Sequence, residues 1–197
     1  MEQQRIPVSK QVAEYVQRKP YLLEALEQNI VNYSALARTI SKDLSLPNVE
    51  TVKAALIRTG IKYQHMKRRT QQKAISLLRN AHFSVKNKIA TLHTTTYSNL
   101  KNVAYSKTPS GYMFFLDETI AHKSTFKKIE YGFAIIHIKS TKDIERTPGA
   151  IAFLLSALAS EGINISHVMG CREDTFIVIN EHDASLAFNV LAQRLRL

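Results

Sequence analysis

The chain has 197 residues, with 27 Lys/Arg against 16 Asp/Glu, a formal charge of +11. At 45% hydrophobic and 22% charged it has material for one or two cores and is not a charge-driven disordered chain. Its apolar stretches are too short to span a bilayer, its N-terminus lacks a signal-like apolar region, and Cys171 alone builds no disulfide. A cytoplasmic protein with no membrane partner is expected.

The charge is uneven. Residues 1–81 carry 14 Lys/Arg and 6 Asp/Glu, a net +8, whereas residues 82–197 carry 13 and 10, a net +3. The excess points to an acidic polymer as partner of the first part, against the plain alternative of a solvated helix face.

Ser9 is a candidate cap for a first helix with Val12 and Val16 at helical spacing, stopped by Pro20. Pro20 suits the start of a second helix, with Leu22, Leu23, Leu26 and Ile30 as its apolar stripe. Asn32 or Ser34 caps a third, with Leu36, Ala37 and Ile40 inward. Residues 44–48 break it, Asn48 caps a fourth helix from 49 to about 58, and Gly60 ends that one. Val49, Val52 and Leu56 are expected to pack on Leu36 and Ile40. Helix, short turn and a second capped helix with small or polar positions near its start is the pattern of a helix-turn-helix DNA reader. Thr51 near the start of the second helix suits base edges, and Lys53, Arg58, Lys62 and Arg38 suit phosphates. Residues 63–80 read as one more helix, basic at first (Lys67, Arg68, Arg69) and apolar later (Ile75, Leu77, Leu78), serving as a linker or a dimer-forming helix.

From Tyr131 the period changes. Residues 133–138 read as a buried strand, and 139–147 as a polar loop. Pro148-Gly149 opens a helix with Ile151, Leu154, Leu155 and Leu158 on one face, ended by Glu161-Gly162. Strands follow at 163–168 and 175–179 around a hairpin at 170–174. A last helix, capped by Asn180 or Asp183, has Ala184, Phe188, Leu191 and Leu195 inward. The order is β-α-β-β-α.

The Thr147-Pro148-Gly149 loop, the Leu-rich helix, Gly162-Ile163-Asn164-Ile165 and the strand before Glu181-His182-Asp183 resemble an ACT domain. They are closest to the aspartate-kinase version and to archaeal stand-alone ACT proteins. The segment 32–58 likewise looks like the helix-turn-helix of archaeal-type regulators. The ACT resemblance implies a ferredoxin-like βαββαβ module that dimerises and binds an amino acid beside the Pro-Gly loop. It places a ligand at Arg146, Thr147, Pro148, Gly149, Ala150 and Ile151, together with Asn164, Ile165 and Ser166. Arg146 stands where the family often has Asp or Asn, so a small carboxylate is the other expected ligand. No fourth strand follows the last helix. Residues 88–93 echo 133–138 at an offset of 45, 111–118 echo 174–181 at 63, and a helical stretch at 119–128 follows. A degenerate first unit (83–130) sharing strands with an ACT unit (131–197) is therefore expected, the alternative being one ACT domain with a β-extension.

No His or Cys spacing forms a metal site, and no phosphate loop or serine-nucleophile motif is present, so no cofactor and no catalysis are expected. A cap explains Asp117-Glu118. The fold class is α+β: a helix-turn-helix bundle (1–62), a linker helix (63–81) and ACT units (83–197). The expected role is a dimeric or larger metabolite-responsive DNA-binding regulator. The alternative is an ACT subunit or adaptor docking on an enzyme without DNA.

Overall fold

The computed structural model describes residues 6–195, which divide between Thr70 and Gln71 into two compact units. In the first, α1 (Val8–Gln17), α2 (Pro20–Glu27) and α3 (Tyr33–Asp43) surround the start of α4 (Val49–Arg79). Val12, Val16, Leu26, Ala37, Ile40, Val52, Ala55 and Leu56 form its core. Each fully buried Leu, Ile or Val side chain adds about 2 kcal/mol of transfer free energy. The expected packing of Val49, Val52 and Leu56 with Leu36 and Ile40 is present.

Three local expectations fail. Pro7, not Ser9, precedes α1. Ile30 lies beyond α2 and is exposed, because Asn29 turns the chain at φ +56. Gly60 does not end a helix: α4 runs unbroken from Val49 to Arg79, merging the two helices expected there. Gly60 serves close approach instead, since a Cβ there lies 3.0 Å from the Tyr33 hydroxyl and 3.6 Å from Leu26. The caps are as expected, Asn32 accepting from Ala35 N and Asn48 from Thr51 N, both at 3.0 Å.

The second unit holds one six-stranded antiparallel sheet. Its strands are β1 (His82–Thr94), β2 (Ala104–Thr108), β3 (Gly111–Asp117), β4 (Ile129–Lys139), β5 (Ile165–Cys171) and β6 (Asp174–Asn180), in the order β2-β3-β1-β4-β6-β5. Between them lie α5 (Glu118–His122), α6 (Ala150–Ala159) and α7 (Ala184–Leu195). The first half of β1 pairs with β4 at the position where the fourth strand was wanting. The missing strand comes from upstream.

The register shows a pseudo-twofold axis between β1 and β4. Ile89 pairs with Phe133, Val85 with Ile136, and Leu92 with Ile129. Adding 44 to one partner and subtracting it from the other maps each pair onto another or onto itself. The offset is thus 44, not 45, while β3 and β6 keep the offset of 63. Lys88 and Gly132, related by the same 44, both take positive φ, at +57 and +81.

Alternation puts Ala134, Ile136, Ile177 and Ile179 under α6 and α7, joined by Ala74 and Leu78 from the end of α4. The equivalent Ala90, Leu92, Phe114 and Leu116 have only α5 and a loop above them. The helix expected at 119–128 is limited to α5, and β2 has no counterpart in the sequence reading. Phe188 faces outward, while Ala187 and Val190 take its place in the core. On the other face, Phe115 of β3 meets His167 of β5 with ring centroids 5.2 Å apart. Four strand spacings amount to about 19 Å in a flat sheet, so the sheet curls around Ile89, Phe115, Ile135 and Val178.

Candidate functional site

The first unit offers one coherent polar surface. Val52, Ala55, Leu56 and Tyr63 fix which side of α4 is buried. Thr51, Ala54, Arg58, Lys62, His65 and Arg69 then lie on the opposite side, all exposed. Their steps of three or four residues follow the helical period, so they form one stripe about 27 Å long. Asn48 holds the first turn, and Glu50 stands exposed beside it. Residues 44–48 join α3 to α4, with Ser45 at φ +52.

Not every expected cation belongs to that stripe. Lys67 is ion-paired with Glu27, whose backbone oxygen also accepts from Gln64 at 3.2 Å. It links α4 to α2, with its side chain still half exposed. Lys53 is half-buried, Arg68 is exposed one residue off the stripe, and Arg38 is exposed on α3. The stripe gains His65, which helical spacing across position 60 reveals only if Gly60 is read as helix.

In the second unit, a short 3-10 turn (Lys142–Arg146) leads to α6. Buried Ile144 anchors it, Thr147 donates to Asp143 O at 2.7 Å, and Glu145 accepts from Arg172 N at 3.0 Å. Gly149, at φ +81, supplies the left-handed turn into α6, with Phe153 N reaching its carbonyl at 2.8 Å. Arg146, Pro148 and Gly149 are exposed, Thr147 and Ile151 are half-buried, and Ala150 is buried.

Asn164, Ile165 and Ser166 lie elsewhere. Cys171 pairs with Asp174, and Ser140 N bonds Glu173 O at 2.8 Å, so the far end of β5 is the one beside the 3-10 turn. Asn164 is at the other end of α6, a helix of ten residues or about 15 Å. A single chain does not bring the two groups together.

Two constellations were missed. Tyr97, Tyr105, Tyr112 and Phe114 form an aromatic cluster, with Tyr97 5.5 Å from Tyr112 and Tyr105 5.6 Å from Phe114. Lys107 sits 5.6 Å from the Tyr112 ring centroid. His137 Nε2 lies 2.6 Å from Asp174 Oδ1, and its ring stacks on Phe176 at 4.6 Å. The tyrosines at 97, 105 and 112 were visible as a local aromatic excess. The His137–Asp174 pair depends on register. No group of three metal-ligating side chains occurs among the described residues. No described helix is long and apolar enough to cross a membrane.

No family model and no curated protein matches the chain. Solved structures do. A Vibrio cholerae protein of unknown function, described as a possible transport protein, aligns at TM-score 0.51 and 17% identity, over 63% of this chain and 97% of its own. Aspartokinase alpha and beta subunits align at 0.50 and 13%, over 64% and 99%. The regulatory subunit of aspartate kinase from Thermus thermophilus aligns at 0.44 and 14%, over 56% and 94%. At such identities the likeness speaks for fold alone.

Proposed function

From a chain that joins an ACT-like α+β fold to a basic helical unit, we propose a metabolite-responsive DNA-binding regulator of helix-turn-helix type. The observation that carries it is the α4 stripe, where Thr51 and Ala54 are followed on the same face by Arg58, Lys62, His65 and Arg69. The small first turn approaches base edges, and Arg58, Lys62 and Arg69 run along phosphates. The ACT-like unit senses an amino acid or small carboxylate. Since Arg146–Gly149 and Asn164–Ser166 are apart in one chain, the effector sits between two copies, one supplying each group. It biases the dimer by preferring one arrangement, the only way a ligand shifts such an equilibrium.

Binding of a mixed-sequence duplex, titrated over a salt series, tests the reading. Affinity should fall steeply with salt, and Arg58→Ala/Lys62→Ala/Arg69→Ala should reduce the log–log slope by about 3. Lys67→Ala should instead lower thermal stability. No binding at low salt removes the DNA reading. A second reading, a regulatory subunit docked on an enzyme without DNA, is favoured by Ile57 and Ile61, exposed beside a cavity of about 320 Å³. Thermal melts with amino acids and small carboxylates test the sensor, and a stabilising ligand should lose its effect in Arg146→Ala.

A further inference from the structure

The pseudo-twofold axis lets one half of the sheet serve as a template for the other. By the offset of 63, Ala121 of α5 corresponds to Ala184 of α7, and both are buried. His122 therefore corresponds to Ser185. By the offset of 44, which also relates Lys88 to Gly132, Tyr131 of β4 corresponds to Asn87 of β1. In the first half, the His122 and Tyr131 rings stack, centroids 4.7 Å apart and planes 14° from parallel. In the second half the same two places hold an amide and a hydroxyl, and no ring.

A cleft of about 480 Å³ lies there, lined by Asn87, Ser185, Asn189, Phe83 and Phe188 among others. That volume is in the range of small-molecule sites. Phe188 leaves 43% of its surface exposed, unusual for a phenyl ring on a helix packed against a sheet. No lining side chain is charged.

We propose that this cleft binds a small neutral planar ring with a hydrogen-bonding edge, seated where the first half places its own His122–Tyr131 stack. Phe83 and Phe188 offer apolar walls to the ring faces. The carboxamides of Asn87 and Asn189 and the Ser185 hydroxyl supply donors and acceptors for its edge. Phenol, imidazole and nucleobase rings share this chemistry. No residue lining the cleft belongs to the 3-10 turn or to the α4 stripe, so the proposal stands or falls independently of the proposed function.

Titrating the full chain with 4-methylphenol, imidazole and uracil, followed by amide NMR, tests the proposal. At least one probe should shift the Asn87, Ser185 and Asn189 signals saturably, with a Kd of about 1–10 mM as expected of a single ring. Asn87→Tyr/Ser185→His, which gives the second half the first half's stack, should weaken that probe at least tenfold and raise Tm. Asn189→Ala should weaken it severalfold, a check that remains if the double variant folds poorly. Concentration-dependent shifts at the cleft without probe would overturn a small-molecule occupant in favour of a ring from a second copy. Absence of saturable shifts there up to about 50 mM overturns the proposal, as do shifts confined to other residues or undiminished binding in both variants.

Discussion

The two halves of the sheet share strands and register but not their covers. In the second half, α6 lies over β4 and β6 with Leu154 and Leu158 fully buried. In the first half, residues 95–103 run between β1 and β2 without a helix, and the aromatic cluster stands in α6's place, with Tyr97 53% exposed. Register depends on strand alternation and on the matched positive-φ residues Lys88 and Gly132. The cover depends on a separate stretch of chain and is free to differ. A sheet can thus keep its internal symmetry while one half trades a helix for a polar-edged aromatic surface.

Two positive-φ glycines, Gly111 at the β2–β3 turn and Gly132 inside β4, give the sharpest way to break that comparison. Gly111 opens β3 at φ +136, and a Cβ there would lie 2.4 Å from the backbone oxygen of Thr94. Strain and collision together put Gly111→Ala at about 4 kcal/mol, confined to the first half. Gly132→Ala, at φ +81 with open space around it, should cost only about 1 kcal/mol. Denaturant melts distinguish them, and equal losses would refute the steric account.

The covers come next. Leu154→Ala should cost about 3 kcal/mol, by lost transfer free energy and the cavity left under α6. Tyr97→Ala should cost about 1 kcal/mol, since half of the ring is already in water. Hydrogen exchange should show β6 loosened by the first change and β2 by the second. If Tyr97→Ala proves as costly as Leu154→Ala, the tyrosines form a core equal to the helix.

What was legible in the sequence was whatever is written in a local run. The β-rich apolar runs at 133–138 and 175–179 and the i, i+3, i+4 leucines of α6 gave their elements directly, and Asn32 and Asn48 marked their caps. Gly60 misled because glycine's usual meaning at a helix end is conformational, whereas here it admits Tyr33 and Leu26 at close range. Phe188 was placed inside by its apolar character, yet the wider helix face is closed by Ala184, Ala187 and Leu191. The separation of Asn164 from Arg146 follows from the direction of α6, which motif spacing does not report. The cleft could be seen only after pairing fixed the offset at 44. A one-residue error sets Gly132, not Tyr131, against Asn87.

The smallest expected effect tests whether the halves also differ in acid. Asp117 ends β3 and caps α5, accepting from Thr119 N at 2.9 Å and Thr119 Oγ1 at 2.6 Å, with Lys86 Nζ at 3.3 Å. These hydrogen bonds, and after them Lys86, hold its carboxyl down at about 2, against an ordinary 3.8. Its counterpart by the offset of 63 is Asn180, which does not titrate. A carboxyl depressed in the folded state contributes stability above its ordinary value and loses it as pH falls from about 4 through about 2. Asp117→Asn should therefore melt slightly below the parent at pH 7, and the gap should close as pH approaches 2. Asn180→Ala should show a gap that does not vary over that window. Melts of the three proteins at pH 7, 4 and 2 make the comparison. An Asp117→Asn gap that persists unchanged at pH 2 would assign the residue's contribution to shape and hydrogen bonding, with its charge immaterial.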